Sequence, residues 1–217
     1  MKKQYLILIG GSMIIALILL LPHKEIHSVI PVSTPGNTQA PKVINKIQVN
    51  KSLKINAPEV YLNKKLYDYL SKEANRQKVI KRALQLNNGQ YRNACVYFVA
   101  EALRQNGVKL PDTTCNTRGL INQLEHRGWT RSSAYKNLQP GDICFTMDQN
   151  NCSLGDPAHS YIFMGWVLPN NYDYAYVCDN QADRYGKIYH ERNVAKLDIY
   201  NGEEKEPFRF LMRMKGS

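Results

Sequence analysis

The feature that most constrains the fold is a change in hydrophobic period near Pro140-Gly141. Before it, from about residue 62, apolar residues recur at spacings of three and four, which predicts amphipathic helices. After it come short runs rich in Ile, Phe, Tyr and Val, which predict strands. Helices followed by strands in one chain predict an α+β domain with its helices packed on an antiparallel sheet.

Three helical stretches precede the change in period. Residues 63–89 predict one long helix or two short ones, closed by Asn-Asn-Gly. A second helix is expected to begin around Cys95 and end at Asn106-Gly107. A third is expected in 117–128, with Asn116 or Thr114 as its cap and a stop at Gly128. A meander of strands is then predicted in residues 142–147, 159–167, 172–180, around 186–191 and 207–214.

The first 60 residues predict a membrane-targeting segment and a linker. Lys2 and Lys3 precede an uncharged apolar run from Leu6 to Leu21, as in a signal sequence. No small-x-small cleavage site follows, which favours an uncleaved signal anchor in 1–21 over a cleaved signal peptide. Residues 22–60 are polar and predict a flexible linker to a domain in 61–217. We expect that domain outside the cell membrane, attached to it or secreted to the cell wall.

Charge and cysteine spacing restrict the partners. A formal charge of +11 favours anionic partners such as a membrane surface or wall polymers. Nucleic acid is not expected, because no RNP-like, zinc-finger or basic-helix pattern is present. The odd number of cysteines leaves at least one thiol unpaired within the molecule, and neither C-x-x-C nor H-E-x-x-H spacing supports a zinc site. The five are Cys95, Cys115, Cys144, Cys152 and Cys178.

Three separated positions together suggest a reactive thiol. Cys95 lies in the first turn of a predicted helix, where the helix dipole favours a thiolate, although a lone cysteine is more often a packing residue. His159 opens the most apolar strand, and the next strand ends in Asp179, Asn180 and Gln181. One of these three is expected to orient the imidazole, and the alternation of side chains favours Asp179 over Asn180. The alternatives are a core histidine and a simple turn.

Three stretches resemble the NlpC/P60 and CHAP superfamily of cysteine peptidases, and CHAP the more closely. They are ACVYFVAEALR at 94–104, RGWTRSSAYKNLQPGDICF at 127–145 and AHSYIFMGWV at 158–167. The resemblance implies a papain-like fold and hydrolysis of amide bonds in peptidoglycan, as an endopeptidase or an N-acetylmuramoyl-L-alanine amidase. It implies a triad of Cys95, His159 and Asp179 or Asn180, no cofactor, and peptidoglycan stem peptides as substrate.

The sequence also departs from these families. The stretch before Cys95, NNGQYRNA, lacks the Gly-Gly-x-Asp run of NlpC/P60. CHAP members usually carry Glu and Asn two residues apart on the third strand, and Asp179 and Gln181 hold that spacing here. Gln90 or Asn93 is a candidate second oxyanion donor.

Two other functions remain open at this point. One is a wall-binding module without activity, and the other is a cysteine acyltransferase or deamidase on the same fold. An apolar groove would favour an acyltransferase acting on lipid. Five aromatic residues are expected either to line a substrate groove or to lie in the core: Tyr91, Tyr97, Trp129, Tyr161 and Trp166.

Overall fold

The structure, a computed structural model, describes residues 61–214. The expected signal anchor in 1–21 and linker in 22–60 lie outside the described residues. Within 61–214, no helix has the length and apolar character needed to cross a membrane.

Four helices precede the sheet in the described part of the chain. They are α1 Tyr61–Leu70, α2 Glu73–Leu86, α3 Cys95–Gln105 and α4 Thr117–Glu125. The first predicted stretch is therefore two helices, with a break after Leu70 where the Ser71 hydroxyl donates to the Tyr67 carbonyl. Of the two expected caps of α4, Asn116 is the one used, because its Oδ1 accepts the Gly119 N–H at 2.7 Å.

Six strands form one antiparallel sheet, so the predicted α+β class is confirmed. The elements after α4 are β1 Trp129–Ser132, β2 Ile143–Thr146, β3 Ser160–Leu168, β4 Asn171–Cys178, α5 Ala182–Tyr185, β5 Tyr189–Asn193, β6 Asp198–Tyr200, β7 Glu203–Lys205 and β8 Phe208–Met214. The sheet order is β1-β8-β2-β3-β4-β5, and β6 and β7 form a separate hairpin.

The predicted meander is corrected at both ends of the strand region. Strand β8 returns to lie between β1 and β2 instead of adding at an edge. Strand β1 and the β6–β7 hairpin were not expected as strands, since each is only three or four residues long and largely exposed. A short exposed strand lacks the alternation that marks longer ones.

The core is divided by the sheet. On one side, α3 packs Phe98 and Val99 into a cluster with Ile143 and Ile162 of the sheet. On the other side, Cys144, Tyr161, Phe163, Val177 and Leu211 belong to a second cluster. Because both faces of β2 and β3 are covered, these strands carry nearly continuous apolar runs. The first residue of α3, Cys95, lies beside Ser160 at the start of β3.

The Pro140-Gly141-Asp142 turn fastens the sheet to α1. Asp142 is fully buried, and its carboxylate accepts bonds from Asn63 Nδ2 at 2.7 Å and Arg213 Nε at 2.8 Å. Gly141 has φ +95°, and a Cβ built there would clash with the backbone carbonyl of Asn63. The turn therefore requires glycine for its backbone conformation and for the close approach of α1.

We expect Gly141→Ala to destabilise the protein more than the matched change Gly128→Ala. Gly128 has φ +84° and no atom within 4 Å of the position that a Cβ would occupy, so alanine there adds only backbone strain of about 1–2 kcal/mol. At Gly141 the clash adds about 1–3 kcal/mol more. Urea unfolding of both full-length variants measures the difference, and equal free energies of unfolding would contradict this account of the turn.

Candidate active site

Cys95 is the first residue of α3 and is 9% exposed. The N-cap residue is Ala94, whose side chain cannot cap the helix, so the first N–H groups of α3 remain available to stabilise negative charge. The turn before it is tight, with Asn93 at φ +61° and the Ala94 N–H bonded to the Tyr91 carbonyl. The fold thus presents the thiol at a helix N-terminus, as the sequence predicts.

His159 lies immediately before β3 and is fixed at both its backbone and its ring. Thr146 of β2 exchanges two bonds with it, accepting the His159 N–H through Oγ1 at 3.0 Å and donating its own N–H to the His159 carbonyl at 3.1 Å. The ring is 6% exposed, and its Nε2 donates to Asp179 Oδ2 at 2.8 Å. With Nε2 occupied, Nδ1 is the nitrogen left to interact with Cys95, whose pKa His159 lowers.

Asp179 is the residue that orients His159. It follows β4, is fully buried, and also accepts the Gln181 N–H through Oδ1 at 2.8 Å. Asn180 instead donates its Nδ2 to the Tyr91 carbonyl at 2.6 Å, and so holds the turn that precedes Cys95. Gln181 accepts from Arg192 through its side chain. The structure therefore brings Asp179 to His159, and gives Asn180 a contact on the cysteine side.

The three groups shift each other's pKa in a consistent direction. Burial alone would raise the pKa of Cys95, but the hydrogen bond and charge of His159 and the Ser160 backbone N–H lower it below its usual value. Burial would lower the pKa of His159, but Asp179 and Cys95 raise it to about 9. The pKa of Asp179 stays well below its usual range despite burial, because of His190 and His159. The favoured state is a thiolate–imidazolium pair beside a carboxylate.

A cavity of about 440 Å³ opens onto Cys95 and His159. Its lining is mainly polar and charged, and comes from the turn 91–93, from Gln149 and Ala158 of the β2–β3 loop, from 180–184, and from 203–206 of the β6–β7 hairpin and the residue after it. Of the two predicted oxyanion donors, Asn93 lines this cavity and Gln90 is exposed outside its lining. Gln149 is a further side-chain amide at the cavity that the sequence did not indicate.

Of the two places expected for the five aromatic residues, a groove or the core, most take the second. Tyr91 lines the cavity, whereas Trp129 and Tyr161 are buried in the two core clusters. Trp166 packs beside the second cluster, and Tyr97 beside the first. Tyrosine and tryptophan occur both in cores and in binding grooves, so the residue type alone does not predict which of the two a given ring occupies.

The β2–β3 loop that leads to His159 is fixed by one carboxylate. Asp148 accepts the N–H groups of Asn150, Cys152 and Gly155, and the Cys152 thiol at 2.8 Å. These bonds, that from the thiol first, lower the pKa of Asp148 to about 2. This loop forms a rim of the cavity through Gln149.

None of the five cysteines forms a disulfide in the described structure. Cys144 and Cys178 are buried, and burial raises the pKa of each. Across residues 61–214, no group of three or more His, Cys, Asp or Glu side chains is arranged to hold a metal ion.

His190 is a site residue that the sequence did not indicate. It lies in the strand predicted around 186–191, is 1% exposed, and has its Nε2 3.7 Å from Asp179 Oδ2. Strand β5 buries His190 and Arg192 and exposes Glu191 between them. This alternation of buried and exposed residues marks a strand, but the sequence does not reveal it, because the buried residues are a histidine and an arginine, which are not apolar.

In comparisons with known proteins, the sequence matches no family model and no curated protein, and the structure matches no solved structure.

We expect alkylation of Cys95 by iodoacetamide to depend on pH through both partners. The reactive thiolate forms above the lowered pKa of Cys95, and it persists when His159 deprotonates near pH 9, because that step leaves the thiolate beside a neutral imidazole. Asp179→Asn removes the charge that stabilises the imidazolium. The pKa of Cys95 should then rise, so that the rate begins to increase at a higher pH, and the rate at pH 7 should fall roughly tenfold, the effect of one pKa unit.

The measurement is mass spectrometry of the Cys95 peptide over time in the full-length chain. Asp173→Asn is the matched control, because Asp173 lies on β4, the strand that Asp179 follows, and is exposed. Exposed Cys115 in each sample reports reagent strength. If the Asp179 and Asp173 variants gave the same profile, Asp179 would not support the ion pair.

Proposed function

We propose that this protein is a cysteine peptidase or amidase that hydrolyses amide bonds of peptidoglycan on a papain-like fold of the NlpC/P60 and CHAP kind. The observation that carries the proposal is the line Cys95–His159–Asp179, with its thiol at a helix N-terminus and its 2.8 Å imidazole–carboxylate hydrogen bond. A nucleophile, a base and a residue that orients the base are the parts that amide hydrolysis through a thioester requires.

The order of elements supports the fold part of the proposal. The thiol lies on the helix that packs against the sheet, the imidazole at the start of β3, and the carboxylate at the end of the neighbouring antiparallel strand β4. This is the arrangement that the resemblance implies. Asp179 takes the place of the orienting polar residue.

The cavity supports a polar substrate. Its lining carries carboxylates, guanidinium groups and side-chain amides, with Ala158 and Tyr91 as its main apolar contributors. An acyltransferase acting on lipid would need an apolar channel to cover the chain, because exposed methylene groups gain nothing from binding. A peptide rich in amide groups and charges can instead exchange hydrogen bonds with such a lining.

The mechanism follows from the geometry. The Cys95 thiolate attacks the substrate carbonyl carbon, forming an S–C bond, and the Cys95 backbone N–H stabilises the oxyanion. The proton on His159 Nδ1 passes to the leaving nitrogen as the C–N bond breaks, which leaves a thioester on Cys95. His159 then accepts a proton from water as that water attacks the thioester, and the carboxylic acid product and the thiolate are released. Asp179 keeps Nδ1 directed at the sulfur throughout.

The proposed setting is the cell wall. The apolar run at 6–21 and the polar stretch at 22–60, both outside the described residues, would hold the domain near the membrane-facing surface of the wall or direct its secretion. The net charge of +11 favours retention by anionic wall polymers.

Incubation of the full-length protein with purified peptidoglycan tests the proposal. We expect the wild type to release muropeptides with one new amino group per cut, and the fragment masses to identify the bond. Cys95→Ala should reduce release at least about 10³-fold, as for loss of a catalytic nucleophile. The matched change Cys115→Ala, at an exposed thiol, should leave release unchanged.

Two results would contradict the proposal. Ammonia released without new amino groups would indicate a deamidase. Binding to the wall that survives Cys95→Ala, with no fragments from several wall types, would indicate a binding module.

A further inference from the structure

Two histidines face the same carboxylate oxygen in this molecule. Asp179 Oδ2 lies 2.8 Å from His159 Nε2 and 3.7 Å from His190 Nε2. Both rings and the carboxylate are buried, with exposed fractions of 6%, 1% and 0%. The proposed mechanism uses His159 and Asp179, and gives His190 no part.

We propose that His190 is a positioning residue for the catalytic carboxylate: its Nε2–H faces Asp179 Oδ2 and keeps Asp179 ionised and aligned with His159. This inference deepens the proposed function, since it rests on the Cys95–His159–Asp179 site. It concerns the state of the thiol and not the identity of the substrate.

The tautomer of His190 follows from its surroundings. Neither ring nitrogen has a hydrogen-bond partner among the described residues. The Asp179 carboxylate, 3.7 Å from Nε2, favours a proton on that nitrogen. The distance is longer than a hydrogen bond, so the interaction is that of an N–H dipole with a buried anion.

The charge state of His190 separates its role from that of His159. The charged and titratable groups that face it are Asp179, Arg192, His159 and Tyr185. Burial, with Arg192 and His159, lowers the pKa of His190 despite the opposite effect of Asp179. His190 is thus neutral where His159 is cationic, and it supports the carboxylate without competing for it as a cation.

Stacked rings fix the position of His190. Tyr185 of α5 stacks on the imidazole with ring centroids 3.8 Å apart and an interplanar angle of 13°. Tyr200 of β6 stacks in turn on Tyr185, at 4.1 Å and 20°. The ring column His190–Tyr185–Tyr200 therefore connects the catalytic carboxylate to the β6–β7 hairpin, which also forms a wall of the cavity.

The carboxylate needs this support because it is fully buried. Its remaining donors are the His159 ring and the Gln181 N–H. A buried carboxylate with fewer donors is more easily protonated, and a protonated Asp179 no longer stabilises the imidazolium. Loss of the His190 dipole should therefore weaken the thiolate–imidazolium pair.

The test is the pH profile of Cys95 alkylation by iodoacetamide in the full-length protein. His190→Phe keeps a ring for Tyr185 to stack on and removes the nitrogen. We expect the rising part of the profile, which the pKa of Cys95 sets, to move to higher pH, and the rate at pH 7 to fall to a value between those of the wild type and Asp179→Asn. His190→Gln, which retains an N–H donor, should fall between His190→Phe and the wild type. His126→Phe, at an exposed histidine, should match the wild type.

A profile of folded His190→Phe that coincides with the wild type would overturn the proposal, because a purely structural residue would change the unfolding midpoint and not the pH at which the rate rises. If His190→Phe does not fold, Tyr200→Leu is measured instead. It removes the ring that stacks on Tyr185, so that the His190 ring is held less firmly, and it keeps the His190 side chain itself. A smaller shift in the same direction supports the proposal, and an unchanged profile overturns it. Because no wall substrate is used, failure to cleave peptidoglycan leaves this test intact.

Discussion

The buried hydrogen bond from His159 Nε2 to Asp179 Oδ2, at 2.8 Å, is the interaction on which the account of this molecule depends. It fixes the imidazole so that its other nitrogen meets Cys95, and it keeps the imidazole cationic in a site where burial opposes charge. Without that carboxylate, the thiol at the start of α3 would be an ordinary buried cysteine like Cys144 or Cys178, whose pKa burial raises.

Burying the polar side chains of this site lowers the stability of the fold. A fully buried carboxylate, two buried histidines and a buried cysteine occupy a position where apolar side chains would pack without desolvation cost. Three interactions offset part of this cost. The Gln181 N–H donates to Asp179, the Thr146 hydroxyl accepts the His159 N–H, and Asn180 donates to the Tyr91 carbonyl. Groups whose pKa values are displaced in complementary directions beside a polar cavity are characteristic of catalytic sites.

Much of this arrangement could be predicted from the sequence, for identifiable reasons. The α+β class and the ends of α3 follow from period and from Asn106-Gly107, which are local signals. Cys95, His159 and Asp179 could be selected because each begins or ends a regular element, and antiparallel strands bring such ends together. The choice of Asp179 over Asn180 followed from the alternation of side chains, and the hydrogen bonds agree with it.

What the sequence could not supply depends on long-range contacts. The position of β8 between β1 and β2 depends on which strands pair, and the sequence of a single strand does not indicate its partner. The position of His190 beside Asp179 requires the β4–β5 register, in which Val177 lies opposite His190. Tyr200 of the β6–β7 hairpin stacks on Tyr185, and nothing in the sequence around either tyrosine indicates that the two rings meet.

The measurement that tests the central claim most directly is a search for the covalent intermediate. Full-length protein would be mixed with soluble muropeptides, quenched in acid within one turnover, and its peptides examined by mass spectrometry. A thioester-linked acyl fragment on Cys95, matching the fragment lost from the substrate, is the result that the account predicts. Fragments released with no acyl group ever found on Cys95, or with the group on another residue, would contradict it.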